Sequence, residues 1–224
     1  MINFFKIILY QPLLYLLILF YRYLPGHDFG VAVIVLTILI RILLYPLGVQ
    51  TIKSQKALSE IQPKIKEIQE KYKNDKERQT KEMLGLYKRE KINPFSGILP
   101  ILIQLPILIA LFWVFRNFAQ GFNPGELNTK FLGLVDLAQP SWVFAALAGI
   151  LQFFQTKMVT PKNNRDKKQT SNFSDQLQKQ MQYFFPIFTI LILLRLPSAI
   201  GLYWLTTTIF TIFQQYIMLK KQKI

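Results

Sequence analysis

Cysteine is absent from the chain, and histidine occurs once, at His27. A disulfide scaffold, a thiolate metal site and a cysteine nucleophile are therefore excluded, as is a multi-histidine metal centre. Acidic residues are scarce too: 12 Asp and Glu stand against 27 Lys and Arg in 224 residues, a net charge of +15. No phosphate-binding glycine loop, paired-carboxylate site or nucleophile triad is visible, so neither conventional catalysis nor a cofactor is expected. Charged residues of both signs make up only 17%. A strongly basic balance fits either a nucleic-acid binder or a membrane protein. The apolar residues decide between them: they are 51% of the chain and lie in uninterrupted blocks.

A bilayer core of roughly 30 Å takes about 20 apolar helical residues. Three blocks of that kind predict spans over residues 29–50, 95–116 and 140–157. The stretch from Tyr183 to Tyr216 is too long for one crossing, and Arg195, Pro197 and Ser198 divide it into spans at 180–195 and 198–218. Their apolar parts, Gln182 to Leu194 and Ala199 to Phe213, are short, which suggests a locally thinned bilayer. The block from Ile2 to Phe20 contains Lys6, Gln11 and Pro12 and has no small-residue cleavage site, so a removed signal peptide is not expected. It reads as an uncleaved helix lying in the interface within residues 1–28, with a sixth span as the alternative. Of the 27 basic residues, 21 fall between Val49 and Asn93, between Lys157 and Lys179, or in the tail after residue 218. By the positive-inside rule these segments are cytoplasmic, and 117–139 is an extracytoplasmic loop. The expected fold is an all-α polytopic membrane protein of the plasma (inner) membrane. It has a five-helix transmembrane core, a cytoplasmic antiparallel coiled-coil hairpin and an N-terminal interfacial helix.

The hairpin is predicted over 51–94. Ile61, Ile65, Ile68 and Tyr72 recur at i, i+4, i+7 and i+11, one stripe of a helix. Asn74-Asp75 supplies a turn, a second run places Met83, Leu84 and Tyr87 on one side, and Asn93-Pro94 ends it. Lys73 closes the first arm. One reading is a charged loop that only sets topology. The sharper reading is a docking arm for a partner or an incoming chain, with Ile61, Ile65, Ile68, Tyr72, Lys73 and Met83 as its contact residues.

Arg41 interrupts the first apolar block. In a straight helix over 29–50 its guanidinium leaves the backbone about 14–16 Å from either end. An Arg at mid-bilayer costs about 2.5–3.5 kcal/mol on insertion scales. A carboxylate is the usual remedy, yet every Asp and Glu falls in the hairpin, the basic linker or an outside loop. Neutral polar residues are what the spans offer: Thr37, Gln104, Gln152, Gln155 and the run Thr206, Thr207, Thr208, with Gln214 beyond. A lone cation among scattered amides implies a hydrated cavity that favours short polar or acidic peptide segments. Tyr203 and Trp204 fit either that cavity or an interfacial belt.

Several segments resemble the YidC family of membrane protein insertases, which has bacterial, mitochondrial and chloroplast branches. They are LTILIRILLYPL around Arg41, EIQPKIKEIQEKYKND, INPFSGILPILIQLPILIALFWVF, QFFQTKM and PSAIGLYWLTTTIFTIFQQYI, in family order from about residue 10 onward. The resemblance implies a five-span core whose groove opens to cytoplasm and lipid and is closed outside. By that likeness Arg41 matches the groove arginine, Gln155 and Trp204 match groove-lining positions, and Gln104 is a further one. Thr37, Gln152 and Thr207 are expected beside them. Nascent membrane proteins and the bilayer are the implied partners, with the Sec translocon and the ribosome as further ones, and no nucleic-acid substrate. The family pattern departs in TTT, where amides are common, and in a tail of only a few residues after the last span. A small transporter or channel subunit is the alternative; it predicts repeated halves, broken helices and intramembrane acids. A purely scaffolding subunit predicts no penalty for neutralising Arg41.

Overall fold

The computed structural model describes residues 2–93, 99–118, 127–159 and 173–221. The start of the second expected span, part of the extracytoplasmic loop with Glu126, most of the basic linker and the end of the tail lie outside the described residues. What is described is nearly all helix. A short helix α1 (Ile2–Phe5), a π-helical turn (Lys6–Tyr10) and α2 (Gln11–Tyr23) form the N-terminal arm. Then follow α3 (Phe29–Leu43), α4 (Tyr45–Glu60), α5 (Gln62–Lys71), α6 (Lys76–Arg89) and α7 (Leu99–Asn117). A two-stranded hairpin, β1 (Lys130–Phe131) and β2 (Val135–Asp136), precedes α8 (Trp142–Val159), α9 (Phe173–Leu193) and α10 (Ser198–Lys221).

The predicted span at 29–50 is not one helix. Pro46 has no N–H to bond back to the carbonyl of Ile42, so the α3 ladder stops there, while its fixed φ suits the first turn of a new helix. The chain bends by 68° between α3 and α4. α3 is thus 15 residues long, about 22 Å, and Arg41 lies in its last turn rather than at its middle. Carbonyls exposed at a helix C-terminus favour a cation, which helps explain why a charge is tolerated there. Among the described residues no single helix is both long and apolar enough to cross a membrane. α3 and α4 reach that length only as the bent pair, and α7 and α9 carry the shorter apolar stretches Leu102–Asn117 and Gln182–Leu193. Short apolar stretches do not mean short helices, however: α9 and α10 run for 21 and 24 residues. The apolar length is what must match the bilayer, and in α9 it is the short stretch Gln182–Leu193.

α10 is the shared wall of two apolar cores. On one side Ala199, Leu202 and Tyr203 pack with Val33 and Leu36 of α3 and Leu111 and Val114 of α7. On the other, Ile200 and Leu205 pack with Ala145 and Ala148 of α8 and Leu193 of α9. Glycine lets α8 approach α9: a Cβ on Gly149 would lie 2.4 Å from Ile190. The N-terminal arm places Leu13, Leu17 and Tyr21, spaced four apart, in the first core. Its π turn rests on α7 while α2 rests on α3, so the arm crosses from one helix to the other.

The segment read as a plain outer loop is a clasp over two helix ends. Asp28 caps α3 by accepting from Val31 N at 3.0 Å, and its second oxygen accepts from Leu132 N at 2.6 Å in the β1–β2 turn. Gly30 is needed beneath that turn, since a Cβ there would sit 2.1 Å from the Phe131 ring. The first amides of α10, Ser198 N and Ala199 N, donate to Gln139 O and Leu137 O at 2.9 and 3.0 Å. The segment thus satisfies donors at the start of α10 and is tied by its own Leu132 N–H to the residue that caps α3.

The polar region after α3 also differs from its expected form. α4 and α5 are separate helices that meet at Ile61, and only α5 pairs with α6: Lys64 bonds Glu90, and Gln79 Nε2 donates to Gln69 O at 2.9 Å. Ile61 and Ile65, each 4% exposed, are buried with Leu86. The expected docking stripe is therefore mostly the core of the helix pair, because a two-helix unit has no other apolar surface to bury. Ile68, Tyr72 and Met83 are half-buried, Lys73 is exposed, and Leu84, expected on one side with Met83 and Tyr87, is exposed while those two pack on the core.

Replacing Pro46 by Ala restores the missing donor and is expected to straighten the junction. Pulsed electron–electron distances between spin labels at positions 35 and 55 should lengthen in Pro46→Ala; unchanged distances would show that packing alone sets the bend.

Candidate functional site: a polar cavity around Arg41

The side chains that α3, α4, α7, α8, α9 and α10 turn toward one another enclose a cavity of about 310 Å³, open along part of its length. Arg41 enters it from the last turn of α3. Its Nη2 donates to Gln104 Oε1 of α7 at 2.8 Å, and its Nε donates to Thr207 Oγ1 of α10 at 3.4 Å. Gln104 in turn donates from Nε2 to the Tyr203 hydroxyl at 2.5 Å. On the α8 side Gln152 Oε1 accepts from Trp204 Nε1 at 3.3 Å. Gln155, Gln55 and Thr51 line the same space, and Gln214 and Gln215 line it further along α10.

The α10 face follows from helical spacing: Trp204, Thr208, Thr211 and Gln215 recur at four, three and four residues and all line the cavity. Thr208 and Thr211 donate to the carbonyls of Trp204 and Thr207, four residues back, at 2.8 and 2.9 Å. Those threonines satisfy their own donors locally and show the cavity a small, weakly polar surface. Gln214 Nε2 donates to Tyr45 O at 3.1 Å, fastening α10 to the start of α4 just beyond the bend. Gly48 makes room for this contact, since a Cβ there would meet the Gln214 amide at 2.8 Å.

Six of the seven residues expected in the groove line this one cavity: Arg41, Gln104, Gln152, Gln155, Trp204 and Thr207. Thr37 does not. It is 1% exposed, and its hydroxyl donates to Val33 O at 2.6 Å within α3. A threonine one turn before Arg41 faces the same way only if the side chain reaches outward, and this one bonds back to its own helix instead. Tyr203 is no interfacial belt residue either: it is 1% exposed and hydrogen-bonded to Gln104. Its four-residue spacing from Thr207 was the signal that placed it beside Arg41. Among the described residues no carboxylate lines the cavity, so the guanidinium is held by neutral acceptors.

Apolar helical stretches packed around a polar interior that holds one cation are a pattern of α-helical membrane proteins. Residues 19–224 match the model of the family described as 60Kd inner membrane protein. The chain is 39% identical over 194 residues to the membrane protein insertase YidC of Fusobacterium nucleatum subsp. nucleatum, covering 87% of each chain. It is 40% identical over 182 residues to that of Clostridium tetani, covering 81% of this chain and 77% of the other. With the insertase of Geobacter metallireducens it shares 35% over 208 residues, 92% of this chain but 35% of that one. The chain belongs to the 60Kd inner membrane protein family, which includes the YidC insertases, and is a bacterial inner membrane protein.

Thr207→Val removes an acceptor from Arg41 and is expected to lower stability by about 1 kcal/mol. Thr37→Val removes only a back-bond to its own helix and should leave the unfolding temperature in detergent unchanged. Equal effects of the two substitutions would mean that the Arg41–Thr207 contact contributes nothing.

Proposed function

We propose that this chain is a membrane protein insertase that moves nascent membrane proteins from the cytoplasm into the bilayer through the Arg41 cavity. One observation carries the reading: a half-buried guanidinium donates to Gln104 and Thr207, and among the described residues no carboxylate lines its cavity. A structural cation in an apolar setting is normally neutralised. Neutral acceptors hold Arg41 in place and leave its charge available to an acidic ligand. Relatives named membrane protein insertase YidC support the same reading.

In this reading α3 with the first turn of α4, then α7, α8, α9 and α10, supply five spans, with the polar remainder of α4, α5, α6 and the tail in the cytoplasm. The α5–α6 pair is the coiled-coil hairpin that receives a client, through its exposed edge rather than through Ile61 and Ile65. The N-terminal arm lies in the outer interface, supported by its crossing from α7 to α3. The clasp at Asp28, Phe131 and Ser198 closes the outer ends of α3 and α10, so a polar segment enters from the cytoplasm and stops at Arg41. Carrying a polar client end to that depth inside a wet cavity removes most of its desolvation cost. Burial of the client's apolar helix in lipid then drives release past α8 and α10. No nucleotide, metal or covalent step is required. The Sec translocon and the ribosome are further partners in this scheme. The broken α3–α4 pair does not favour transport, because α4 carries Gln50, Lys53, Gln55 and Lys56 and is no intramembrane half-helix.

In cells depleted of their own insertase, this chain should restore growth and Arg41→Ala should not. A photocrosslinker at Gln155 or Trp204 should capture a stalled nascent membrane protein. Full rescue by Arg41→Ala together with no crosslink from either position would exclude the reading.

A further inference from the structure

Tyr203 is 1% exposed and is not one of the residues lining the cavity; it stands behind the cavity wall, in the core shared by α3, α7 and α10. A client cannot reach it. Its hydroxyl is nevertheless part of the Arg41 site, since it accepts from Gln104 Nε2 at 2.5 Å. Gln104 has two chemically opposite ends, an acceptor oxygen and a donor amide, on a terminal torsion with a broad preference. Arg41 has donors only. If the amide of Gln104 turned over, an N–H would face an N–H, and the contact that orients the guanidinium would be lost.

Resting on the insertase reading, we propose that Tyr203 is a positioning residue for client recognition. Its buried hydroxyl pins the Gln104 amide so that Oε1 faces Arg41 and the guanidinium is presented to an acidic residue of the client. Arg41 is thereby held from α10 twice, once directly by Thr207 and once by Tyr203 through Gln104 of α7. The arrangement separates two tasks. Gln104 and Thr207 hold the charge, and Tyr203 decides which end of Gln104 does so. Tyrosine suits this position because its ring fills the apolar core while its hydroxyl reaches the polar edge.

Tyr203→Phe keeps the ring and its packing and removes only the oxygen. The test uses the full chain in lipid vesicles with two membrane-protein clients that differ at one residue near the translocated end, Asp or Asn. Tyr203→Phe is expected to slow insertion of the Asp client about fivefold and to leave the Asn client unchanged. In a Gln104→Ala background the same substitution should have no further effect, because Tyr203 acts through that amide. Equal slowing of both clients, or an undiminished effect in Gln104→Ala, would overturn the proposal. So would a Tyr203→Phe chain that fails to fold while Gln104→Ala folds, since the hydroxyl would then be structural. Arg41→Ala serves as the separate control. If it treats the two clients as the unaltered chain does, the insertase reading of Arg41 fails; if it abolishes the Asp preference while Tyr203→Phe preserves it, only the positioning role fails.

Discussion

A guanidinium inside a helical membrane protein, bonded to an amide and a hydroxyl in place of a carboxylate, is the constraint around which the rest is arranged. An ion pair would be the cheaper way to bury Arg41, but it would also cancel the charge. Neutral acceptors compensate the charge only in part, so water or an acidic group remains favourable in the space beside it. The position of Arg41 in the last turn of α3 adds the negative end of the helix dipole, which stabilises a cation without neutralising it. Charge, cavity and helix break are therefore one feature: Pro46 ends α3 just beyond Arg41 and turns the chain away, which opens the space into which the side chain projects.

α10 holds this arrangement together. It reaches Arg41 through Thr207, Gln104 through Tyr203, α8 through Trp204, and the start of α4 through Gln214. Because these contacts come from one continuous helix, their relative spacing is fixed by the 3.6-residue period. The clasp fixes the same helix at its beginning, where Ser198 is held by Gln139 and Asp136. A polar cavity in lipid persists only if its walls cannot collapse onto it. Here one wall is pinned at both ends.

The polar lining was legible in the sequence because an amide in a long apolar run is costly to bury unless a polar interior receives it. Arg41, Gln104, Gln152, Gln155 and Thr207 were visible as polar residues in apolar runs, Trp204 only through the family resemblance, and the structure gathers all six. Hydropathy could not show the bend, since Tyr45-Pro46 lies inside an apolar run whose window average it hardly changes. The proline itself carried the information, and reading it as a helix boundary moves Arg41 from the middle of a span to its end. Thr37 was misplaced for a local reason: its hydroxyl has an acceptor in its own helix. The Ile61–Ile65 stripe was read correctly as an apolar face and incorrectly as a free one, because periodicity reveals a face without revealing what covers it. The β-hairpin left little trace beyond the Leu132-Gly133 turn, its strands being only two residues long. Tyr203 needed a tertiary contact to be recognised at all.

Gln104→Glu offers the most direct test of the central claim, because it supplies the counter-ion that the cavity lacks at a side chain already bonded to Arg41. If the charge of Arg41 is kept free for a client, this near-isosteric change should form an ion pair and reduce insertion of an Asp-ended client in lipid vesicles to the level of Arg41→Ala, with the chain still folded. Insertion at the unaltered rate by Gln104→Glu would show that the free charge has no part in what the cavity does.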